Sequence, residues 1–106
     1  MNTNLISDEH IKLNDLQAQQ VAELFNILGD ASRVKIIAAL LKGSLNVQAL
    51  ADEVGISPSG ISHHMRGLRQ MNLVRAHKQG RQVFYSLVDQ HVEQLFQRGV
   101  DHVLHG

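Results

Sequence analysis

The chain contains no cysteine and no tryptophan, one proline, one tyrosine and three phenylalanines among its 106 residues. Without cysteine there are no disulfides, thiolate metal sites, catalytic thiols or cysteine redox switches. The scarcity of aromatics argues against stacked single-stranded bases or an aromatic cage as the basis of recognition. No apolar run approaches the roughly 20 residues needed to span a bilayer, and the N-terminus lacks the basic and apolar segments of a signal peptide. The expectation is a soluble, cytoplasmic protein. Its length suits one compact domain with little core to spare, so association with a second copy is an expected source of burial.

Ten basic and ten acidic residues cancel, but they are unevenly placed. Up to Asp30, five acids (Asp8, Glu9, Asp15, Glu23 and Asp30) accompany a single base, Lys12. From Val54 to Val88 there is no acid, while Arg66, Arg69, Arg75, Lys78 and Arg81 all occur there. Such a stretch is a candidate footprint for phosphates; the alternative is a solvated face neutralised by the acidic N-terminal segment.

Apolar spacing predicts four helices, a hairpin and a last helix. Leu16, Val21, Leu24, Phe25 and Leu28 share a helical face that stops at Gly29-Asp30. Val34, Ile36, Ile37, Leu40 and Leu41 mark a second helix, capped by Asp30 or Ser32 and closed by Gly43. Val47, Leu50, Ala51 and Val54 mark a third, ending at Gly55; Ser57-Pro58 then opens a fourth, to about Met71. Leu73, Val74 and Ala76, then Val83, Phe84, Tyr85 and Leu87, flank Lys78-Gln79-Gly80-Arg81 as a β-hairpin. Helical periodicity returns from about Asp89.

On the fourth helix, Ser59, Ser62, His63, Arg66 and Gln70 fall in one stripe, with Ile61, Met65 and Leu68 opposite. Hydroxyl, imidazole, guanidinium and amide groups backed by an apolar face suit a helix that enters a DNA major groove, and Gly60 would let the backbone come near the duplex. An ordinary amphipathic helix explains the polar front but not the missing acids. Lys78 and Arg81, flanking a Gln-Gly tip, would form a cationic wing reaching the backbone or minor groove.

The last helix carries Asp89, His91, His102 and His105. His102 and His105, three apart, share a face. His91 lies eleven residues before His102, roughly 16 Å away along a helix axis. Asp89 and His91 converge only if Asp89 is the N-cap. One chain thus offers two half-sites too far apart to share an ion. Antiparallel pairing with a second copy brings Asp89 and His91 of one protomer against the partner's His102 and His105, twice, giving three imidazoles and a carboxylate per ion. The stripe of Val92, Leu95, Phe96, Gly99 and Val103 would bury the seam. His10, His63, His64 and His77 lack such complements.

With these motifs in place, the sequence resembles the ArsR/SmtB family of dimeric winged helix–turn–helix metal-sensing repressors. Leu28-Gly29-Asp30-Ala31-Ser32-Arg33 resembles the family's second-helix opening, and Ile56–Met65 its recognition helix. Gln79-Gly80-Arg81 with Tyr85-Ser86-Leu87 resembles its wing, and Asp89-x-His91 with His102-x2-His105 its C-terminal-helix metal site. The resemblance implies a mostly α fold of order α-α-α-α-β-β-α over residues 1–106. Residues 1–14 would form an arm, 46–71 the helix-turn-helix, 73–87 the wing and 89–105 the metal-binding dimerisation helix. It further implies an apo-dimer that occupies operator DNA, is released by metal and is not an enzyme, with His102 bonded to the backbone near Asn72.

Relatives that sense softer metals carry Cys-x-Cys where this chain has Asn46 and Gln48. This argues against arsenic, cadmium, lead or copper(I). Imidazole and carboxylate suit Zn(II), Co(II) and Ni(II); four donors favour Zn(II) or Co(II), while Ni(II) would want more, with His10 one source. A winged-helix regulator answering a non-metal signal is the alternative.

Overall fold

The computed structural model describes residues 11–106. The order is α1 (Asp15–Leu28), α2 (Ala31–Leu40), β1 (Leu45–Asn46), α3 (Val47–Val54), α4 (Pro58–Gln70), β2 (Val74–Gln79), β3 (Gln82–Leu87) and α5 (Gln90–His105). The expected helices and hairpin are present, with one addition. Leu45 and Asn46 pair with Tyr85 and Phe84, so the hairpin carries a third strand in the order β1-β3-β2.

Local chemistry sets the helix starts. Asn14 and Gln17 cap α1 reciprocally. Asp30, rather than Ser32, caps α2 through the Arg33 N–H at 3.0 Å. Asn46 caps α3, and Gly55 ends it with φ +84°, a left-handed conformation that glycine adopts without steric cost. Ser57 caps α4 by accepting from the Gly60 N–H at 3.0 Å, with Pro58 in the first turn. A Cβ on Gly60 would lie 3.3 Å from Ser57 Oγ and 3.4 Å from Ile56 Cδ1. The absence of a Cβ at Gly60 therefore relieves crowding within its own turn.

The core lies where α2, α3 and α4 meet the strands: Ile36, Ile37, Leu50, Ile61, Met65 and Leu68 are essentially inaccessible, with Leu73, Val74, Tyr85 and Leu87 beside them. Neither α1 nor α5 buries a residue fully. Among the described residues no helix is long and apolar enough to cross a membrane.

Candidate functional site

The buried Ile61, Met65 and Leu68 turn the opposite side of α4 outward, so Ser59, Ser62, His63, Arg66 and Gln70 are all exposed. Ser59 Oγ also lies 3.1 Å from Ser57 Oγ, within the capping turn. His63 and His64 meet edge to face at 5.7 Å, and the half-buried His64 leaves its Nδ1 without a partner. Gly67 sits where α4 passes under the α1–α2 junction; a Cβ there would lie 3.2 Å from Ile27 Cδ1. The Arg33 guanidinium closes that junction by donating to the Ile27 carbonyl at 3.2 Å.

The hairpin tip differs by a residue from the expected one. Gln79 pairs with Gln82, leaving Gly80 (φ +64°) and Arg81 as the two turn residues. A two-residue turn with positive φ at its first position matches the twist of the flanking strands. Arg81 thus stands at the tip itself, with Lys78 exposed on the strand below. His77 stacks on its cross-strand neighbour Phe84, ring centroids 5.7 Å apart, a packing role. Among the described residues Lys42 pairs with Glu53, and His91 and His105 lie beside Asp89 and Asp101, so no cation of the Val54–Val88 stretch is neutralised there.

Asp89 is the N-cap of α5: its Oδ1 accepts from the Val92 N–H at 3.1 Å. That hydrogen bond holds its carboxyl below the usual carboxylate range, and the His91 charge adds to the lowering. Its Oδ2 lies 3.7 Å from His91 Nδ1, with both side chains exposed. The extended backbone at Asp89 (φ −160°) brings the pair together, as their spacing required. Adjacent donors on a tetrahedral zinc ion stand about 3.3 Å apart, so this pair is a few tenths of an ångström wider than an ion's bite. At the other end of α5, His102 and His105 are exposed in the last turn. Asp101 Oδ1 lies 2.8 Å from His105 Nδ1, a contact the sequence reading overlooked although its spacing of four residues was available as a signal. Among the described residues no group of three or more histidine or acidic side chains gathers to hold an ion. His10 lies outside the described residues.

Hydrogen bonds connect the two regions through the hairpin base. Leu73 N–H donates to the Leu68 carbonyl of α4 at 2.9 Å, and Val88 N–H donates to the Leu73 carbonyl at 3.1 Å. The Val88 carbonyl accepts from Arg75 Nη2 at 2.6 Å, one residue before Asp89. The expected bond from His102 to the backbone near Asn72 is not among the hydrogen bonds of the described residues.

The profile of the bacterial regulatory proteins of the arsR family matches residues 30–76, which hold α2, α3, α4 and the start of the wing. The chain is 39% identical over 93 residues to the HTH-type transcriptional regulator NmtR of Mycobacterium tuberculosis, covering 88% of this chain and 78% of NmtR. The chain belongs to the ArsR family. It is also 44% identical over 87 residues to a transcriptional repressor SmtB homolog of Synechocystis, across 82% of this chain and 66% of that protein. Among solved structures, the AntR antimony-specific transcriptional repressor shares the fold at TM-score 0.79 and 26% identity, covering 96% of this chain and 95% of AntR. The homodimeric winged helix-turn-helix DNA-binding domain Mb0332 of Mycobacterium bovis shares it at TM-score 0.76 and 25% identity, over 91% and 95% of the two chains. These ArsR-family relatives are transcriptional regulators, which makes DNA binding and dimerisation the roles the fold serves.

Proposed function

We propose that this chain is a metal-responsive repressor of the ArsR family, acting in the cytoplasm as an apo-dimer on operator DNA and leaving it when Zn(II) or Co(II) binds. In this reading residues 1–106 form one domain: an arm (1–14), a helix-turn-helix (46–71), a wing (73–87) and a metal-binding dimerisation helix (89–105). Ser59, Ser62, His63, Arg66 and Gln70 face the major groove, and Lys78 and Arg81 reach the flanking phosphates or minor groove. Asp89 and His91 of one protomer, with His102 and His105 of its partner, hold the ion. A cation held by these four residues would supply positive charge between the two half-sites.

One observation carries the reading. Helix α5 presents its two ligand pairs at opposite ends of an exposed helix whose Leu95, Gly99 and Val103 also face outward. Beside them an apolar groove of about 570 Å³, lined by Phe25, Leu28, Val34, Leu95 and Phe96, continues onto α1 and α2. A second α5 laid antiparallel would cover this face and complete both sites. The donor set, three imidazoles and a carboxylate with no thiol, fits a closed tetrahedral ion. Nickel, which takes more donors, needs groups beyond these four.

In such a dimer, metal and DNA draw on one conformational equilibrium, so each weakens the other by the same factor. Capture of Asp89 acts on residue 88, which is bonded to the Leu73 carbonyl and to Arg75. This junction is where α4 passes into the wing.

The test is a gel-shift on the protein's own upstream DNA with Zn(II), Co(II) and Ni(II) added in turn. The expected result is release by zinc or cobalt for the natural chain and retention for His91→Ala and His102→Ala. Release by zinc unchanged in both variants would place the ion on other residues, and no release of the natural chain by any of the three metals would select a regulator of the same fold that answers another signal.

A further inference from the structure

We propose that Asp101 is a positioning residue of the metal site: its carboxylate fixes the proton of His105 on Nδ1 and turns Nε2, with its lone pair, toward the ion. The inference rests on the reading of α5 as a shared metal site and adds a residue to it. Asp101 and His105 are one turn apart on α5, and Oδ1 meets Nδ1 at 2.8 Å. An ionised carboxylate only accepts hydrogen bonds, so the ring nitrogen facing it carries the proton. In a neutral imidazole that leaves the other nitrogen, Nε2, as the donor available to a metal. Ligating histidines commonly give their second N–H to such an acceptor, which sets tautomer and ring orientation and raises basicity.

Helix stability does not account for Asp101. Both side chains are 73% exposed, where an ion pair contributes little. An acid one turn from a helix C-terminus also stands against the helix dipole.

The two carboxylates of the site therefore have different work. Asp89 Oδ2 stands 3.7 Å from His91 Nδ1, beyond hydrogen-bond length, whereas Asp101 Oδ1 lies 2.8 Å from His105 Nδ1. Asp101 is an outer acceptor and not a fifth donor. The donor count stays at four, which favours tetrahedral Zn(II) or Co(II) over Ni(II).

Nitrogen-15 NMR of the metal-free chain tests the orientation directly. His105 is expected as the Nδ1–H tautomer in the natural chain and as a mixture in Asp101→Ala. Competition against a zinc chelator then reads the consequence: a loss of roughly 10- to 100-fold in affinity for Asp101→Ala, partly recovered in Asp101→Asn, which retains an acceptor oxygen. The Co(II)-loaded Asp101→Ala protein is expected to keep the tetrahedral absorption of the natural chain, since no ligand has been removed. A His105 tautomer unchanged in Asp101→Ala, zinc affinity within twofold, or a cobalt spectrum that loses a ligand each overturns the proposal. The underlying site is tested separately by His105→Ala and His91→Ala. If both still take up zinc as the natural chain does, the shared site itself is refuted, whatever Asp101 does to the tautomer.

Discussion

At the scale of single residues, the cations of the proposed DNA-facing side divide by where they stand. Arg66 rises from the outer face of α4, away from the buried Ile61, Met65 and Leu68, so the core fixes the backbone that carries it. Arg81 stands at the tip of a two-residue turn, at the far end of the hairpin from the core. On the proposed reading Arg66 would read base edges and Arg81 would neutralise phosphate. Replacement of Arg66 with Ala is expected to cost about 1–3 kcal/mol on the operator and to relax specificity at one base pair. Replacement of Arg81 with Ala is expected to weaken all sequences alike and to lower the salt dependence by about one counterion. Fluorescence titrations on operator and random duplex across salt concentrations separate the two. Equal loss on both duplexes for Arg66→Ala would remove it from base reading.

At the scale of elements, α4 was legible because three local signals agree: Ser57 as cap, Pro58 behind it, and an apolar stripe of one period. Strand β1 was not, because two residues carry no period and its partners, Phe84 and Tyr85, lie nearly forty positions away in sequence. The hairpin was legible and its tip slipped by one, since either Gln79-Gly80 or Gly80-Arg81 satisfies the demand for glycine and only cross-strand pairing decides. The approach of Asp89 to His91 was legible from spacing, but not the Asp101–His105 contact, which competes with many solvent-facing pairs at that separation. The start of α2 makes a prediction about acid. The Arg33 N–H donated to Asp30 lowers its carboxyl from the ordinary value, with nearby His64 and Arg33 charges adding to the effect. The unfolded chain therefore binds that proton more readily, and stability from this cap is present above the unfolded value and lost as pH falls through the folded one. Asp30→Asn keeps an acceptor without the titration. Denaturant unfolding is expected to show the natural chain more stable than Asp30→Asn above about pH 5, with the gap closing in stronger acid. A gap independent of pH would assign the lowered carboxyl no role in stability.

At the scale of the whole molecule, the protomer leaves its first and last helices open to solvent, with Leu16 62%, Phe25 55%, Val103 81% and Leu104 67% exposed. The structural neighbour Mb0332 is homodimeric, and the proposed seam would cover this face. Gly99 permits a clean test of that pairing. Its own turn of helix aside, no atom of the described residues lies within 4 Å of where its Cβ would be, so the added carbon meets open space. Glycine inside a helix also costs about 1 kcal/mol relative to a good helix former, so Gly99→Glu is expected to strengthen α5 taken alone. Between two antiparallel helices the same change places a bulky charge where the backbones approach most closely, in an apolar seam that cannot hydrate it. The expected outcome is a folded monomer by sedimentation, with helical content at least that of the natural chain. Its operator affinity falls, because two recognition helices no longer engage together. On the proposed shared site, its zinc binding is lost although Asp89, His91, His102 and His105 all remain. A Gly99→Glu protein that stays dimeric, or a monomer that still binds one zinc tightly, would place the seam or the site elsewhere on the molecule.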